Sequence, residues 1–253
     1  LKDNPGALHN TPHKKAQRVI MLKNERPSEC SYCWTQEDLG NLSDRHYRSG
    51  EPWAAEHFEE IKNGQQENPI PSYVEVNFNH ACNLKCSYCS PQFSSSWADE
   101  VTRHGAYPTS RPHNDPDHFT SDRRPIPARE ANPYVDAFWR WRPEIYRKIE
   151  VFRMTGGEPL MDHNMFKVLD YIYTNPNKWL EVSITSNLCP PKQELFDKFL
   201  EKIKIICGEN KVQKFKVFTS CDTYGEQAEY IRDGLNYELW KRNIERILSE
   251  VPN

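Results

Sequence analysis

The sequence lacks any run of about 18 consecutive apolar residues, and no basic segment followed by an apolar one opens the chain. Neither a membrane span nor a signal peptide is therefore expected, and the cytoplasm is the expected compartment. Only 37% of the 253 residues are hydrophobic and the mean hydropathy is -0.87, which predicts extensive exposed loops. The chain is nevertheless long enough to bury a core.

An excess of positive charge is also missing, because the formal net charge is -3 and the isoelectric point is near 6.3. No electrostatic footprint for nucleic acid is visible, and neither nucleic acid nor a membrane is an expected partner. Eight cysteines without a secretory leader indicate reduced thiols that bind metal or pack in a core. Since the chain starts at Leu1 rather than Met, we expect it to be a fragment.

Four short runs typical of strands alternate with segments of helical periodicity. The strands are predicted at 73–78, 151–155, 181–185 and 215–219. Helices are predicted at 14–23, 53–63, 134–149, 163–175, 192–206, 225–234 and 237–251. This alternation predicts an α/β fold with a parallel sheet, whose sites lie at the carboxyl ends of the strands.

A polar connector at 64–72 predicts two regions, residues 1–70 and residues 71–253. Because a parallel sheet does not end comfortably at an exposed edge, further strands are expected beyond Asn253. The segment at about 93–132 is rich in proline, histidine and charge without sustained periodicity. It is predicted to be a polar insertion, either mobile or a substrate lid.

Three cysteines follow the first predicted strand, in the stretch HACNLKCSYCS. Cys82, Cys86 and Cys89 therefore lie where a parallel sheet places its sites. Three thiolates suit a cluster of four irons and four sulfides with one iron left open, because an electron-carrying cluster normally has four cysteine ligands. A zinc site that also uses His80 is the alternative, since soft thiolates select zinc as well.

The second predicted strand ends in the tetrapeptide GGEP, which contains Gly156, Gly157 and Glu158. Paired glycines let the backbone approach a ligand closely, and the peptide oxygens and the Glu158 carboxylate can accept hydrogen bonds from a ligand ammonium. In isolation the tetrapeptide is more typical of an ordinary tight turn. At the next strand end after a three-cysteine loop, it favours a binding site.

Together these two motifs resemble those of the radical S-adenosylmethionine (radical SAM) superfamily. CNLKCSYC matches the C-x3-C-x2-C signature of that family, and GGEP matches the element that holds the methionine amino group. The resemblance covers roughly residues 73–251 and implies a partial (β/α)6-type barrel with the first four strand-helix units present.

The resemblance also implies the chemistry. Cys82, Cys86 and Cys89 would hold a [4Fe-4S] cluster, and S-adenosylmethionine would chelate its fourth iron. Reductive cleavage of this cofactor gives a 5'-deoxyadenosyl radical, which abstracts a hydrogen atom from substrate. The implied reductant is a protein such as flavodoxin or ferredoxin.

Further positions resemble family elements at later strand ends. Ser186 and Asn187 resemble a T-N-G-like turn near the cofactor, and Ser220 and Asp222 resemble an S-x-D element near its ribose and carboxylate. Arg232 matches a position where some relatives pair a basic residue with the methionine carboxylate. A solvated helix residue is the alternative for this arginine.

A second CSYC stretch, residues 30–33, has no third cysteine nearby in the sequence. Glu37, Ser43 and Arg45 follow it in an E-x5-S-x-R pattern. Together these residues resemble the auxiliary-cluster region of twitch-domain radical SAM proteins. The resemblance implies that residues 1–70 are an incomplete twitch-like region and that the missing ligands lie elsewhere in the full-length chain.

Cys30 and Cys33 have two alternative uses. They could form half of a zinc site completed by His46 or His9, or a redox-active pair. We favour the auxiliary cluster, because a redox pair does not explain the neighbouring glutamate, serine and arginine. The remaining cysteines are more typical of buried small apolar residues: Cys189, Cys207 and Cys221.

No residue identifies the substrate. Auxiliary clusters in this superfamily are frequent in enzymes that modify peptides or proteins, which makes a peptide one expected substrate. Small-molecule or nucleotide cofactor metabolism is the alternative within the enzyme class. A noncatalytic zinc or iron-sulfur protein is the alternative outside it, although such a site has no use for the GGEP turn.

Overall fold

The computed structural model describes residues 1–64, 68–105, 125–127 and 129–252. The chain divides into two compact units, of which the first comprises Leu1–Val74 and Asn132–Val151, and the second comprises Glu75–Ala131 and Phe152–Asn253. The sequence pattern instead places a division between residues 70 and 71. In the part of the chain described, no helix has both the length and the apolar character that a bilayer crossing requires.

The regular elements alternate along the second half of the chain, as the periodicity predicts. The strands are β1 Tyr73–Asn77, β2 Lys85–Cys86, β3 Val151–Thr155, β4 Asn177–Thr185, β5 Val212–Phe218 and β6 Arg232–Asp233. The α-helices are α1 Pro12–Leu22, α2 Ser31–Asp38, α3 Asp44–Ser49, α4 Pro52–Ala55, α5 Phe58–Lys62, α6 Ser95–His104, α7 Pro133–Ile145, α8 His163–Thr174, α9 Gln193–Gly208, α10 Gly225–Ile231 and α11 Tyr237–Glu250.

The first unit consists largely of short helices. Helix α7 begins where Asn132 accepts hydrogen bonds from the backbone N–H groups of Tyr134 and Val135, which is an ordinary N-cap. Its buried Trp141 stacks on His9 with ring centroids 6.5 Å apart. Helix α7 is therefore fixed to the amino-terminal turn of this unit, although it is distant from that turn in the sequence.

The second unit is built on a parallel sheet with the strand order β1-β3-β4-β5. Leu180, Val182 and Ile184 alternate along β4 and are completely buried, so they form one apolar face. Phe215 of β5 lies in register with Val182, and its ring is 6.3 Å from the ring of Phe199 on α9. Helix α9 therefore covers this face and builds the core with it.

The opposite face of the sheet is polar. Glu181 accepts a hydrogen bond of 2.5 Å from Lys216 on the neighbouring strand. Arg153 on β3 donates to Thr185 on β4 at 3.2 Å and lies 3.8 Å from the Glu75 carboxylate on β1. A polar inner face is compatible with a partial radical SAM barrel, although the described residues do not form a closed barrel.

The predicted alternation of strands and helices is confirmed, but several bounds differ. The helix predicted at 53–63 is interrupted and forms α4 and α5. Within the predicted insertion, residues 95–104 form α6, because Ser94 caps the helix by accepting from the N–H of Trp97. The rest of that insertion lies mostly outside the described residues, including His113 and His118.

The two-stranded sheet formed by β2 and β6 is a further difference. The sequence pattern predicts a helix through residue 234, but α10 ends at Ile231 and Arg232 begins a strand. Gly234 follows with a φ of +97°, a conformation that favours glycine. Strands of only two residues are too short to show a periodic pattern in the sequence, and each pairs with a segment that is distant in the sequence.

Candidate functional site

The three cysteines after β1 lie on a loop that returns to the sheet through β2. Cys86 is in β2, and the N–H of Cys89 donates to the carbonyl oxygen of Cys86 at 2.9 Å, which makes a tight turn. All three thiols are free and partly buried. Burial raises the pKa of the Cys82 thiol to about 12 and raises the pKa of Cys86 and Cys89 as well.

Three consecutive serines at the start of α6 form hydrogen bonds with backbone groups of the cysteine loop. Ser94 donates to the carbonyl oxygen of Leu84 at 2.7 Å, and Ser96 donates to that of Cys82 at 2.7 Å. Ser95 accepts a hydrogen bond from the N–H of Cys82 at 3.1 Å. Sequence reasoning missed this role, although a serine run directly before a helix is a recognisable N-cap signal.

The GGEP turn packs directly against the backbone of the cysteine loop. The N–H of Glu158 donates to the carbonyl oxygen of Ala81 at 2.7 Å, and the N–H of Gly157 donates to that of Asn79 at 3.3 Å. A Cβ atom on Gly157 would overlap the Ala81 carbonyl group. Gly156 has a φ of +129° and would place a Cβ only 2.9 Å from the Asn79 oxygen. The paired glycines thus permit two backbone segments to touch.

The Glu158 side chain is only 1% exposed and is surrounded by protein donors. It accepts hydrogen bonds from the N–H of Leu160 at 2.9 Å, the hydroxyl of Ser186 at 2.7 Å and the N–H of Asn187 at 2.6 Å. Burial outweighs these donors and raises the pKa of Glu158 to about 7. The carboxylate therefore joins the turn after β3 to the turn after β4.

Asn187 connects the same turn to the cysteine loop. Its side-chain amide donates to Asn83 at 3.1 Å, and its side-chain oxygen accepts from the N–H of Cys189 at 2.8 Å. Asn83 in turn donates to the carbonyl oxygen of Cys189 at 2.7 Å. Asn83 was not singled out from the sequence, and its place between two cysteines is the only local signal for it. Cys189 is buried, as expected for a cysteine that acts as a small apolar residue.

The segment containing Arg232 meets the cysteine loop from the other side. Arg232 lies opposite Cys86 in the antiparallel β2–β6 pair, and its guanidinium Nη1 is 3.8 Å from the Cys86 sulfur. Its Nε donates to Asp222 at 2.7 Å, and the hydroxyl of Tyr88 donates to the same carboxylate oxygen at 3.1 Å. Arg232 is 6% exposed, which contradicts the alternative of a solvated helix residue.

Ser220 is placed less closely than the other predicted residues. It is exposed and follows the end of β5 by two positions. Cys221 beside it is exposed, so its predicted burial is wrong, and its thiol donates to the carbonyl oxygen of Thr223 at 2.8 Å. Cys207 is partly buried on α9. Hydrogen bonds connect most of the residues predicted at strand ends to the cysteine loop, directly or through one another: Gly157, Glu158, Ser186, Asn187, Asp222 and Arg232.

The donor set of the loop fits an iron-sulfur cluster in its chemistry. The three thiols belong to one short loop of eight residues, Cys82 to Cys89, and burial raises the pKa of each of them. Among the described residues, no group of three or more His, Cys, Asp or Glu side chains is arranged so that it could hold a metal ion. Ligands of one zinc ion must converge on one point, whereas each cysteine of a cubane cluster binds a different iron.

His80, the predicted fourth ligand of the zinc alternative, is half-buried. Its Nδ1 atom is buried and has no hydrogen-bond partner within the described part of the chain. Burial lowers the pKa of this imidazole below its usual value. Burial therefore favours the neutral form of His80, which is the form that binds metal.

The first CSYC stretch belongs to the first unit, where it spans the start of α2. Glu37 accepts a hydrogen bond from Ser43 at 2.6 Å and a forked pair from Arg45 at 3.1 and 2.8 Å. These donors lower the pKa of Glu37 to about 2. The hydrogen bonds from Arg45 to Glu37 raise the pKa of Arg45, and Cys33 and Cys30 contribute to the same direction to a smaller extent.

The glutamate, serine and arginine thus form one cluster beside the cysteine pair. His46 belongs to it as well, because its Nδ1 lies 3.4 Å from Glu37. His9 is the other histidine considered for this pair, and burial lowers its pKa to about 4. His9 stacks on Trp141 instead of joining the Glu37 cluster in any contact that the structure describes.

The sheet and the site define an α/β protein with a three-cysteine loop and a Gly-Gly-Glu turn at neighbouring strand ends. No protein-family model and no solved structure matches the chain. Among curated proteins, it is similar to the GTP 3',8-cyclase of Aliarcobacter butzleri strain RM4018, with 23% identity over 136 residues. These residues are 53% of this chain and 33% of the relative, so the chain spans about a third of that relative's length.

The relative is a radical SAM enzyme. The similarity supports the radical SAM superfamily and an enzymatic function in general for this chain. Neither a twitch domain nor a second cluster follows from it.

Proposed function

We propose that this chain carries the cofactor-binding part of a radical SAM enzyme. Cys82, Cys86 and Cys89 bind three irons of a [4Fe-4S] cluster and leave the fourth for S-adenosylmethionine. A bound, reduced cluster would supply the electron for reductive cleavage of S-adenosylmethionine, which would give methionine and the 5'-deoxyadenosyl group that abstracts a hydrogen atom from the substrate. The chain itself contributes binding, orientation and protection from water.

The contact between the GGEP turn and the cysteine loop carries this proposal. The N–H of Glu158 donates to Ala81 at 2.7 Å, one residue before the first cysteine ligand. A backbone contact of this kind fixes the distance between the metal site and the turn that would hold the methionine amino group. A purely structural metal site gains nothing from such a turn, which favours the enzyme over a noncatalytic metal protein.

The remaining predicted residues surround the same place. Gly156 and Gly157 would offer their peptide oxygens to the methionine ammonium, and Glu158 holds this turn against Ser186 and Asn187. Because the protein donors already occupy much of the Glu158 carboxylate, the peptide oxygens are the better acceptors for that ammonium. We assign the ribose and methionine carboxylate to the other side of the loop.

On that other side, Ser220 and Asp222 follow β5 and Arg232 lies against Cys86. Asp222 is exposed and anchored by Arg232 at 2.7 Å, so its second oxygen is available to a ribose hydroxyl. Arg232 supplies the positive charge for a carboxylate. We propose that an external flavodoxin or ferredoxin delivers the electron.

Two substrate classes remain, and different observations favour them. The cysteine pair at residues 30–33, with its Glu37, Ser43 and Arg45 cluster, favours a twitch-like auxiliary cluster and a peptide substrate. The printed activity of the similar protein, a GTP 3',8-cyclase, favours a nucleotide. Incubation of the loaded protein with either a candidate peptide or GTP distinguishes them, because only the true substrate becomes consumed together with S-adenosylmethionine.

The test of the proposal is anaerobic reconstitution with iron and sulfide, followed by dithionite and S-adenosylmethionine. The expected product is 5'-deoxyadenosine, measured by liquid chromatography. Cys86→Ala should abolish both cluster assembly and this product. Cys207→Ala is the matched control, because that cysteine lies on α9. A loaded cluster that produces no 5'-deoxyadenosine would count decisively against the radical SAM function.

A further inference from the structure

We propose that Arg232 tunes the reduction potential of the cluster by acting directly on the sulfur of Cys86. This inference rests on the proposed function, since it requires a cluster on the cysteine loop. The Nη1 group of Arg232 is 3.8 Å from the Cys86 sulfur and is oriented to donate to it. Hydrogen bonds and charges at ligand sulfurs are among the main influences on the potential of iron-sulfur clusters.

The backbone fixes this contact. Arg232 and Cys86 are direct partners in the antiparallel β2–β6 pair, and the N–H of Ser87 donates to the carbonyl oxygen of Ile231 at 2.8 Å. Gly234, two residues later, would place a Cβ only 2.9 Å from the carbonyl oxygen of Asn83. Only a glycine there lets the two segments approach this closely, so the register that pairs arginine with cysteine is enforced.

Two side chains orient the guanidinium. Asp222 accepts from Nε of Arg232 at 2.7 Å, and Tyr88 donates its hydroxyl to the same carboxylate oxygen at 3.1 Å. The guanidinium carbon of Arg232 also lies 5.4 Å from the centre of the Tyr88 ring, within the range of a cation–π contact. Tyr88 is part of the CSYC motif itself, so the motif helps to position the arginine that faces its own cysteine.

The sign of the effect follows from charge. Reduction adds one negative charge to the cluster, and a nearby positive charge stabilises the reduced form. Arg232 is 6% exposed, so water screens this interaction only weakly. Asp222 has the opposite effect, because its negative charge partly cancels that of the arginine. Removing the arginine should therefore lower the potential, and removing the aspartate charge should raise it.

The experiment is a potentiometric titration of the reconstituted cluster without S-adenosylmethionine, followed by electron paramagnetic resonance. Arg232→Gln should lower the midpoint potential, so that at a fixed potential the ratio of reduced to oxidised cluster falls about tenfold, or ~59 mV for a one-electron couple. Asp222→Asn should shift the midpoint in the opposite direction. Arg246→Gln is the matched control, since Arg246 pairs with Asp197 and Glu250 on helices α9 and α11.

The opposite signs of the two potential shifts distinguish an electrostatic effect on the cluster from a structural loosening of the cysteine loop. Both variants would shift the potential in the same direction if the ion pair only held the loop in place, and that result would overturn the inference. An unchanged midpoint in Arg232→Gln would overturn it as well. If Arg232→Gln fails to assemble a cluster, the sign of the Asp222→Asn shift decides. Failure of the unmodified protein to bind any cluster would instead contradict the proposed function.

Discussion

The carboxylate of Glu158 accepts a hydrogen bond of 2.6 Å from the backbone N–H of Asn187. The two residues follow adjacent strands of the sheet, β3 and β4. Their bond joins the turn that touches the cysteine loop to a second turn that is itself bonded to Asn83 in that loop. The three parts of the candidate site are therefore one mechanical unit, and Glu158 lies at its centre.

Glu158→Ala is expected to destabilise the protein by about 3 kcal/mol at pH 7, because it leaves buried donors of Leu160, Ser186 and Asn187 without an acceptor. The matched control is Glu194→Ala, which changes an exposed glutamate at the start of α9. The control should lose no more than about 0.5 kcal/mol. Urea unfolding of the protein without cluster, followed by circular dichroism, measures both. Equal losses of stability in the two variants would show that the hydrogen bonds of Glu158 do not stabilise the fold.

The stability of the protein should also depend on pH through Glu158. Burial raises the pKa of this group to about 7 in the folded protein, above its usual value of 4.5. The part of its contribution that depends on protonation is therefore fully present below pH 4.5 and is lost as the pH rises through 7. We therefore expect the unfolding free energy of the parent, relative to that of Glu158→Gln, to decrease as the pH rises from 4.5 to 7. A flat or rising difference would contradict the raised pKa.

Gly157→Ala should push the GGEP turn away from the cysteine loop, because the new Cβ would overlap the carbonyl group of Ala81. Overpacking of this kind typically destabilises by about 1–3 kcal/mol. We expect less iron and sulfide per chain after reconstitution. Gly208→Ala provides the control, since its Cβ would meet only Pro252, at an ordinary distance of 3.7 Å. Normal cluster loading in Gly157→Ala would show that the close approach is dispensable.

The cysteine pair in the first unit should act independently of the loop in the second. Cys30→Ser combined with Cys33→Ser is expected to lower the iron content if the pair binds an auxiliary cluster, while S-adenosylmethionine cleavage continues. Iron analysis and 5'-deoxyadenosine formation measure the two properties separately. An unchanged iron content would leave the zinc or redox alternatives, and loss of cleavage with the loop cluster intact would contradict two separate sites.

Some features could be predicted because they depend on residues that are near one another in the sequence. The strands at residues 73–77 and 151–155 follow from short apolar runs, and the helix at 193–208 follows from its apolar repeat. The cysteine spacing and the GGEP turn are likewise local patterns. Helix α6 was missed because its capping serine precedes a segment whose overall composition is that of a loop.

Other features depend on contacts between distant parts of the chain. Arg232 and Cys86 are separated by 146 positions, and Glu158 and Ser186 by 28. From the sequence alone, Arg232 was as consistent with an exposed helix as with a site residue. Only the end of α10 at Ile231 and the pairing of β6 with β2 bury it.

The sequence by itself determined the alternation of strands and helices and the position of the three-cysteine loop, because hydrophobic periodicity and cysteine spacing are properties of the local chain. The tertiary structure decided which polar groups serve that loop. It placed the glycines of GGEP against backbone, directed Glu158 to Asn187 and set Arg232 against a sulfur. Such pairings depend on strand order and register, which arise only when the whole sheet has formed.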